Sequence, residues 1–398
     1  MLVISLESTK VLETDIISTL PPSFPMKFLL VLLLLERAIS VSAFAQNVFL
    51  PDSTRRSALF SSDSVLAFTL TASLPSILKD RGDTTTAHPA QLNYQSLQGE
   101  TVALPVKLQV RGNFRKLWNN CSFPPLYLNV PKKKASQTVF AHQNKLKLVT
   151  HCEGEEYVVR EYLVYRLYNL LTDYSFRARL CRVSYVDSAG KRPTETRWGV
   201  LLEDESGLVK RNGGLPNKLR QISMANMDSL HMATLAVFEY LIGNTDWSVP
   251  YRHNIRLLTV PTIKNPVPVP YDFDQSGIVD AFYALPSQNI GITSVRERVY
   301  RSIAYPSMLF RQVFDRFNQL KPQVYALYAD NPHLDSAYVK RTIQYLDEFY
   351  AVINNPVKVF LGRVPRNEVS KKPKALPVAQ TKPTTTKPAP QKTTVNKK

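Results

Sequence analysis

The chain has little glycine: thirteen in 398 residues, none of them in a Gly-x-Gly-x-x-Gly or Walker A pattern. A phosphate cradle made of backbone amides in a glycine loop is therefore excluded, and any phosphate must be held by side chains. Cysteine is scarcer still. Cys121, Cys152 and Cys181 include no Cys-x-x-Cys pair, which rules out a zinc ribbon and a thioredoxin-type centre. The six histidines form no zinc pattern, and neither a His-Glu-x-x-His helix nor a Gly-x-Ser-x-Gly elbow occurs. Among long apolar runs the best is Phe28 to Leu35, too short to span a bilayer. No transmembrane span is expected in the mature chain. Acidic residues number 32 against 50 Lys and Arg, a formal charge of +18. No nucleic-acid module accompanies that charge, so no specific nucleic-acid partner is expected.

What is present begins with an export signal. Met26-Lys27, the apolar Phe28 to Leu35 and the small-x-small Ala43-Phe44-Ala45 before Gln46 have the order of a secretory leader, interrupted only by Glu36-Arg37. Residues 1–45 are assigned to the leader, with the true start at Met26, and the protein is expected in the periplasm, the cell envelope or the medium. Disulfides can form there. Cys121–Cys152 is the first choice of bridge, and three buried thiols are the alternative. At the other end, residues 363–398 hold ten Lys or Arg and one acid, so about half the excess charge sits in a Pro/Thr/Lys-rich tail. Such a segment is expected to be disordered. It could dock on an acidic envelope surface, or serve as a solvated spacer. Between these ends lie a Ser/Thr-rich lead-in with some strand (46–98), a strand-rich part with one main helix (99–215) and a helix-rich part (216–362). Strands before helices indicate an α+β chain.

The chemistry concentrates near the middle. Asp228 to Ile242 reads as a helix with Asp228 as N-cap and Gly243 as its stop. Asn244-Thr245-Asp246-Trp247 follows, then His253-Asn254. Ile255 to Val260 and Val267 to Tyr271 read as a strand pair that delivers Asp272-Phe273-Asp274. Two carboxylates, a carboxamide and a third acid on such loops suit a hard divalent cation and a phosphate. Each acid alone could equally cap a turn or pair with one of the many basic residues. Further helices are expected over Ser294 to Ala304, Met308 to Leu320 and Leu334 to Asn354, with Pro306, Pro322 and Pro332 at their boundaries.

Upstream, Lys145-Leu146-Lys147-Leu148 alternates as a half-buried strand, with Lys147 the candidate phosphate-binding lysine. Glu155 to Leu171 is a helix candidate carrying Glu161, which could pair with Lys147, or equally with Arg160 or Arg166. Val106, Leu108 and Val110 alternate with Lys107, Gln109 and Arg111, which puts those polar side chains on one strand face. Arg111, Lys107 or Arg115 could meet phosphate through side chains, an arginine bidentately, or the segment is a half-exposed edge strand. Glu203 is either a hinge residue or a solvated acid.

Taken in order, Arg111-Gly112-Asn113, Trp198 to Glu203, Asn244 to Ser248, His253-Asn254 and Pro270 to Gly277 resemble the motifs of the CotH-like (spore coat protein H-like) atypical kinases. The match runs from about residue 100 to 285. The resemblance implies a bilobal protein-kinase-like fold: a small β-rich N-lobe with one main helix and a helical C-lobe carrying the catalytic hairpin. It implies Asp246 as catalytic aspartate, and Asn254, Asp272 and Asp274 as ligands of Mg or Mn. Lys147, Glu161, Glu203 and Arg111 would form the ATP site. Two departures stand out. Asp246 and Asn254 are eight positions apart, wider than in the usual kinase loop, and Trp247 replaces the arginine that often follows the aspartate. The function so implied is an exported metal-dependent phosphotransferase that moves the ATP γ-phosphoryl group to a hydroxyl on an envelope protein or glycan. The alternative is a catalytically silent kinase-like scaffold of the cell envelope.

Overall fold

A computed structural model describes residues 57–152, 154–287 and 290–355. The first half of this range builds a closed, mixed seven-stranded barrel. Its strands are β1 (Leu66–Ala72), β2 (His88–Gln95), β3 (Thr101–Val110), β4 (Leu126–Asn129), β5 (Lys145–Val149), β6 (Ala178–Asp187) and β7 (Glu195–Leu202), in the order β1-β2-β3-β4-β5-β7-β6. Strict alternation drives it. Leu104, Val106, Leu108 and Val110 of β3 point inward with Leu126 and Leu128 of β4 and Leu146 and Leu148 of β5, all buried. The ring closes through one parallel pairing, β1 on β6, in register from Leu66↔Cys181 to Ala72↔Asp187. A short helix α1 (Leu74–Lys79) lies between β1 and β2, and Asp187 accepts from the N–H of Leu74 at 3.1 Å.

Helix α2 (Glu155–Leu171) leaves the barrel and is buried along most of its faces. It packs on the outer side of β6 and β7 and against the helices that follow. Those are α3 (Glu205–Arg211), α4 (Ser229–Ile242), α5 (Ser307–Gln319), α6 (Lys321–Ala329) and α7 (Ser336–Asn354). A three-stranded sheet, ordered β10-β9-β8, joins them: β8 (Leu215–Pro216), β9 (Ile255–Thr259) and β10 (Val267–Pro270). A second apolar core runs without a break from Leu180, Val200 and Leu202 through α2 to Phe238, Phe273, Phe317 and Phe349. Among the described residues no helix is long and apolar enough to cross a membrane.

This architecture corrects the expected bilobal kinase-like fold with a helical C-lobe. Residues ahead of 99 supply β1 and β2, and the β1–β6 pairing closes the strands expected of a small lobe into a seven-stranded barrel. Parallel pairing between strands more than a hundred positions apart leaves no local signature. The continuous second core then places α2 between barrel and helices, where two lobes would need a cleft. Ser294 to Ala304 is also irregular instead of helical. Its arginines bond carbonyls of other segments: Arg298 reaches Leu241 and Tyr345, and Arg301 reaches Thr245 and Trp247. The leader and the basic tail lie outside the described residues.

Candidate functional site

The site is built where α4 ends. Asp228 caps this helix, accepting from the His231 N–H at 3.1 Å, with the His231 ring 2.6 Å from the same oxygen. Gly243 stops it in the left-handed region at φ +66°. A side chain there would meet the Tyr345 hydroxyl at 2.1 Å, so any other residue would be strained and would have to displace that tyrosine. The Asn244 side chain then accepts from the Asp246 N–H at 2.9 Å, an Asx turn that presents Asp246 outward. Its carboxylate lies 2.8 Å from His253 Nε2 and accepts from Asn254 Nδ2 at 3.0 Å; the same amide donates to the Asp246 carbonyl at 2.8 Å. Asp246 is 43% exposed at its side chain and His253 55%, so both are open to an incoming molecule.

Strands β9 and β10 bring the second set. Beyond β10, the Tyr271 N–H donates to the Asn254 carbonyl at 3.0 Å, and the Asp272 N–H to the Tyr165 hydroxyl of α2, also at 3.0 Å. Asp272 (φ +67°), Asn254 (φ +52°) and Arg252 (φ +52°) all occupy the left-handed region. Non-glycine residues rarely sit there, and such backbone concentrates at functional sites. Asp274 is buried and hydrogen-bonded with Tyr283, and burial pushes its carboxyl above the usual range despite nearby Arg115.

From the barrel side, Lys147 alternates with Leu146 and Leu148 and so faces outward, its ammonium 4.6 Å from the Tyr271 ring centre. Burial, with Arg111 as the next contribution, pulls this ammonium down to about 8, and Asp272 acts in the opposite sense. Glu161 on α2 does not pair with Lys147. Its neighbour is Arg115, at 3.8 Å, whose guanidinium also lies 3.4 Å from Asp272 and 3.4 Å from Asp274. Burial raises the Glu161 carboxyl, Arg115 opposes the shift, and Oε1 is buried without a hydrogen-bond partner. For Arg115, burial works against the charge, but Asp274, Glu161, Tyr283 and Asp272 together outweigh it and the guanidinium is held ionised.

The fold thus gathers Lys147, Arg111, Glu161, Asp272, Asp274, Asp246 and Asn254 into one electrostatically connected region, the Asp246 charge being felt at Asp274. Glu203 is treated differently. Its carboxylate is buried and taken up by Arg211 at 2.9 and 3.1 Å and by the Arg177 N–H at 3.1 Å. Lys107 is exposed on β3, and Gln109 bonds Thr85 instead of facing the site. Sequence reasoning missed the second-layer tyrosines, Tyr165 and Tyr283. It also missed the carboxylate surroundings of Arg115, which long-range contacts create, the one with Asp272 spanning 157 positions. A cavity of about 390 Å³ exists elsewhere, between the end of α2, α4 and α5, lined by Leu171, Leu230, Met308 and Val313, and contains none of these residues. His231, Arg311, Asp315 and Arg316 also line it, but it holds a single acid and no set of convergent carboxyl groups, so the carboxylate region is the better candidate. No protein-family model and no curated protein matches the chain.

Among the described residues no three His, Cys, Asp or Glu side chains stand close enough together to hold a metal ion as placed, with Arg115 lying between Asp272, Asp274 and Glu161. Asp272, Asp274 and Glu161 bring three carboxyl groups toward the single guanidinium of Arg115, with burial pushing Glu161 up to about 8. Oxygen ligands of this kind suit Mg or Mn. An orphaned buried carboxylate oxygen at Glu161 is a costly feature that such an ion would relieve.

Proposed function

We propose that the chain is a metal-dependent phosphotransferase that takes the γ-phosphoryl group of ATP and passes it to a hydroxyl acceptor on a protein or glycan. The observation that carries this reading is the juxtaposition of two sets of groups. An exposed Asp246, oriented by His253 and Asn254, stands beside a carboxylate set flanked by Lys147. Resemblance of these segments to CotH-like kinases supports the same reading.

Asp246 would orient the acceptor hydroxyl and take its proton as the new oxygen–phosphorus bond forms and the bond to the departing ADP breaks. Asn254 holds the Asp246 carboxylate by one hydrogen bond and its backbone by another, which restricts the rotamer. Lys147 and Arg111 would meet the phosphates, replacing the missing glycine loop with side-chain cations. Asp272 and Asp274, with the Glu161 carboxyl behind them and the carboxamide oxygen of Asn254 in front, would hold Mg or Mn, which supplies charge neutralisation at the transferring group. The Cys121–Cys152 disulfide, with Cα atoms 5.0 Å apart, supports export to an oxidising compartment.

The test is calorimetric titration of ATP into the full chain with Mg²⁺ and separately with Mn²⁺, beside Asp272→Ala. Metal-dependent binding that disappears in the variant is expected. Folded protein that binds no ATP with either metal overturns the reading and leaves the silent scaffold, which the position of Arg115 among the carboxylates favours. Asp246→Asn should keep ATP binding while transfer falls by about 10²–10⁴-fold.

A further inference from the structure

Arg115 has an unusual place. It belongs to the loop between β3 and β4, yet its guanidinium reaches Glu161 of α2 and Asp272 and Asp274 beyond β10. The separations of 3.4, 3.4 and 3.8 Å exceed the roughly 2.7–2.9 Å of well-made charge-assisted bonds. Three carboxylates share one loosely held cation, and Glu161 Oε1, on a residue 2% exposed, has no hydrogen-bond partner at all. A guanidinium is planar and cannot satisfy three carboxylates that converge from different elements. A small divalent ion is not restricted in this way.

The loop is anchored unequally. Its later half is pinned: Arg81 donates to the Cys121 carbonyl at 2.6 Å and lies 3.6 Å from the Trp118 ring centre, Lys116 reaches the Gly82 carbonyl at 2.8 Å, and Cys121 is bonded to Cys152. Gly112 to Phe114, ahead of Arg115, are exposed. Gly112 sits at φ +95° with open space where a side chain would be. The Phe114 carbonyl, by contrast, accepts from the Leu117 N–H at 3.2 Å and from Asn120 Nδ2 at 3.0 Å, so the backbone at Arg115 is held and the guanidinium can leave by rotation of its own long side chain.

We infer that Arg115 is a built-in counter-ion occupying the divalent-cation position, and that cation binding expels its guanidinium from Glu161, Asp272 and Asp274. This rests on the metal-dependent reading above. Arg115 keeps the buried carboxylates neutralised while no ion is bound, and its departure opens the site and frees a cation beside the phosphate region. The exchange is a substitution of one positive charge by two, with no bond made or broken.

The test uses Mn²⁺ alone, without nucleotide, on the full chain. Phenylglyoxal modification of Arg115, followed by peptide mass mapping, should rise at least about tenfold when Mn²⁺ is bound, because a guanidinium 9% exposed becomes solvated. Arg81, held by carbonyls away from the carboxylates, should not change. In parallel, Arg115→Gln should bind Mn²⁺ about tenfold or more tightly than the wild type, since no resident charge competes. Mn²⁺ binding with Arg115 still shielded, or with unchanged or weaker affinity in the variant, overturns the inference and leaves the metal-dependent reading intact. Absence of Mn²⁺ binding in both proteins overturns the two together.

Discussion

Two buried glutamate–arginine pairs lie within this molecule and are satisfied very differently. Glu203 and Arg211 meet at 2.9 and 3.1 Å. Arg211 also donates to the carbonyls of Asp173 and Ser175 at 2.7 Å each, and Glu203 accepts a further backbone bond from Arg177. Every part of that pair has a partner, and it ties the end of β7 to α3 and to the turn after α2. Glu161 and Arg115 stand 3.8 Å apart, one carboxylate oxygen is orphaned, and two more acids crowd the same guanidinium. A buried ion pair offsets its desolvation only when geometry and hydrogen bonding are complete. The first pair meets that condition and belongs to the scaffold. The second does not, and a region that withholds satisfaction from buried charge is one in which an added cation finds favourable interactions.

The comparison can be broken in three places. The largest effect belongs to the scaffold pair: Arg211→Ala should cost about 3–5 kcal/mol, because Glu203 would stay buried without its cation. Denaturant unfolding measures this, and a loss below about 1 kcal/mol would erase the distinction between the pairs. Glu161→Gln should leave stability within about 1 kcal/mol of wild type, or raise it, since burial already pushes the Glu161 carboxyl up to about 8 and Arg115 keeps two partners. The same substitution should weaken metal-dependent ATP binding about tenfold or more. A protein destabilised as much as Arg211→Ala would place Glu161 in the scaffold. The smallest effect concerns a well-satisfied carboxylate, Asp228 at the N-cap of α4, where Asp228→Ala should cost about 1 kcal/mol near neutral pH. The hydrogen bond with His231 holds the Asp228 carboxyl below its ordinary value. Its contribution is therefore present above the ordinary carboxylate range and fades as pH falls below about 4 toward the folded value. Stability curves of wild type and variant should converge in acid, and parallel curves down to pH 2 would remove His231 from the account.

Much of the local structure was legible in the sequence. The helix over 155–171, the capped helix ending at Gly243 and the strand pair that delivers Asp272 all appear where their patterns place them. Each is set by neighbours within a few positions: apolar spacing, a cap, a glycine with positive φ. Asp246, Asn254 and Asp272, singled out by their order along the chain, are also brought by the fold toward Lys147 and Glu161.

Three-dimensional packing decided the rest. Barrel closure depends on β1 meeting β6, whose residues are more than a hundred positions away, and alternation alone cannot choose a partner strand. Ser294 to Ala304 has helix-compatible spacing, yet bonds from Arg298 and Arg301 to distant carbonyls hold it irregular against the end of α4 and the Asp246 loop. Partner choice among charges was likewise undetermined: Glu161 had Lys147, Arg160 and Arg166 as local candidates and faces Arg115 instead. Local rules act through spacing along the chain. Closure, loop tethering and charge pairing depend on which surfaces meet, and only burial of the two apolar cores determines that.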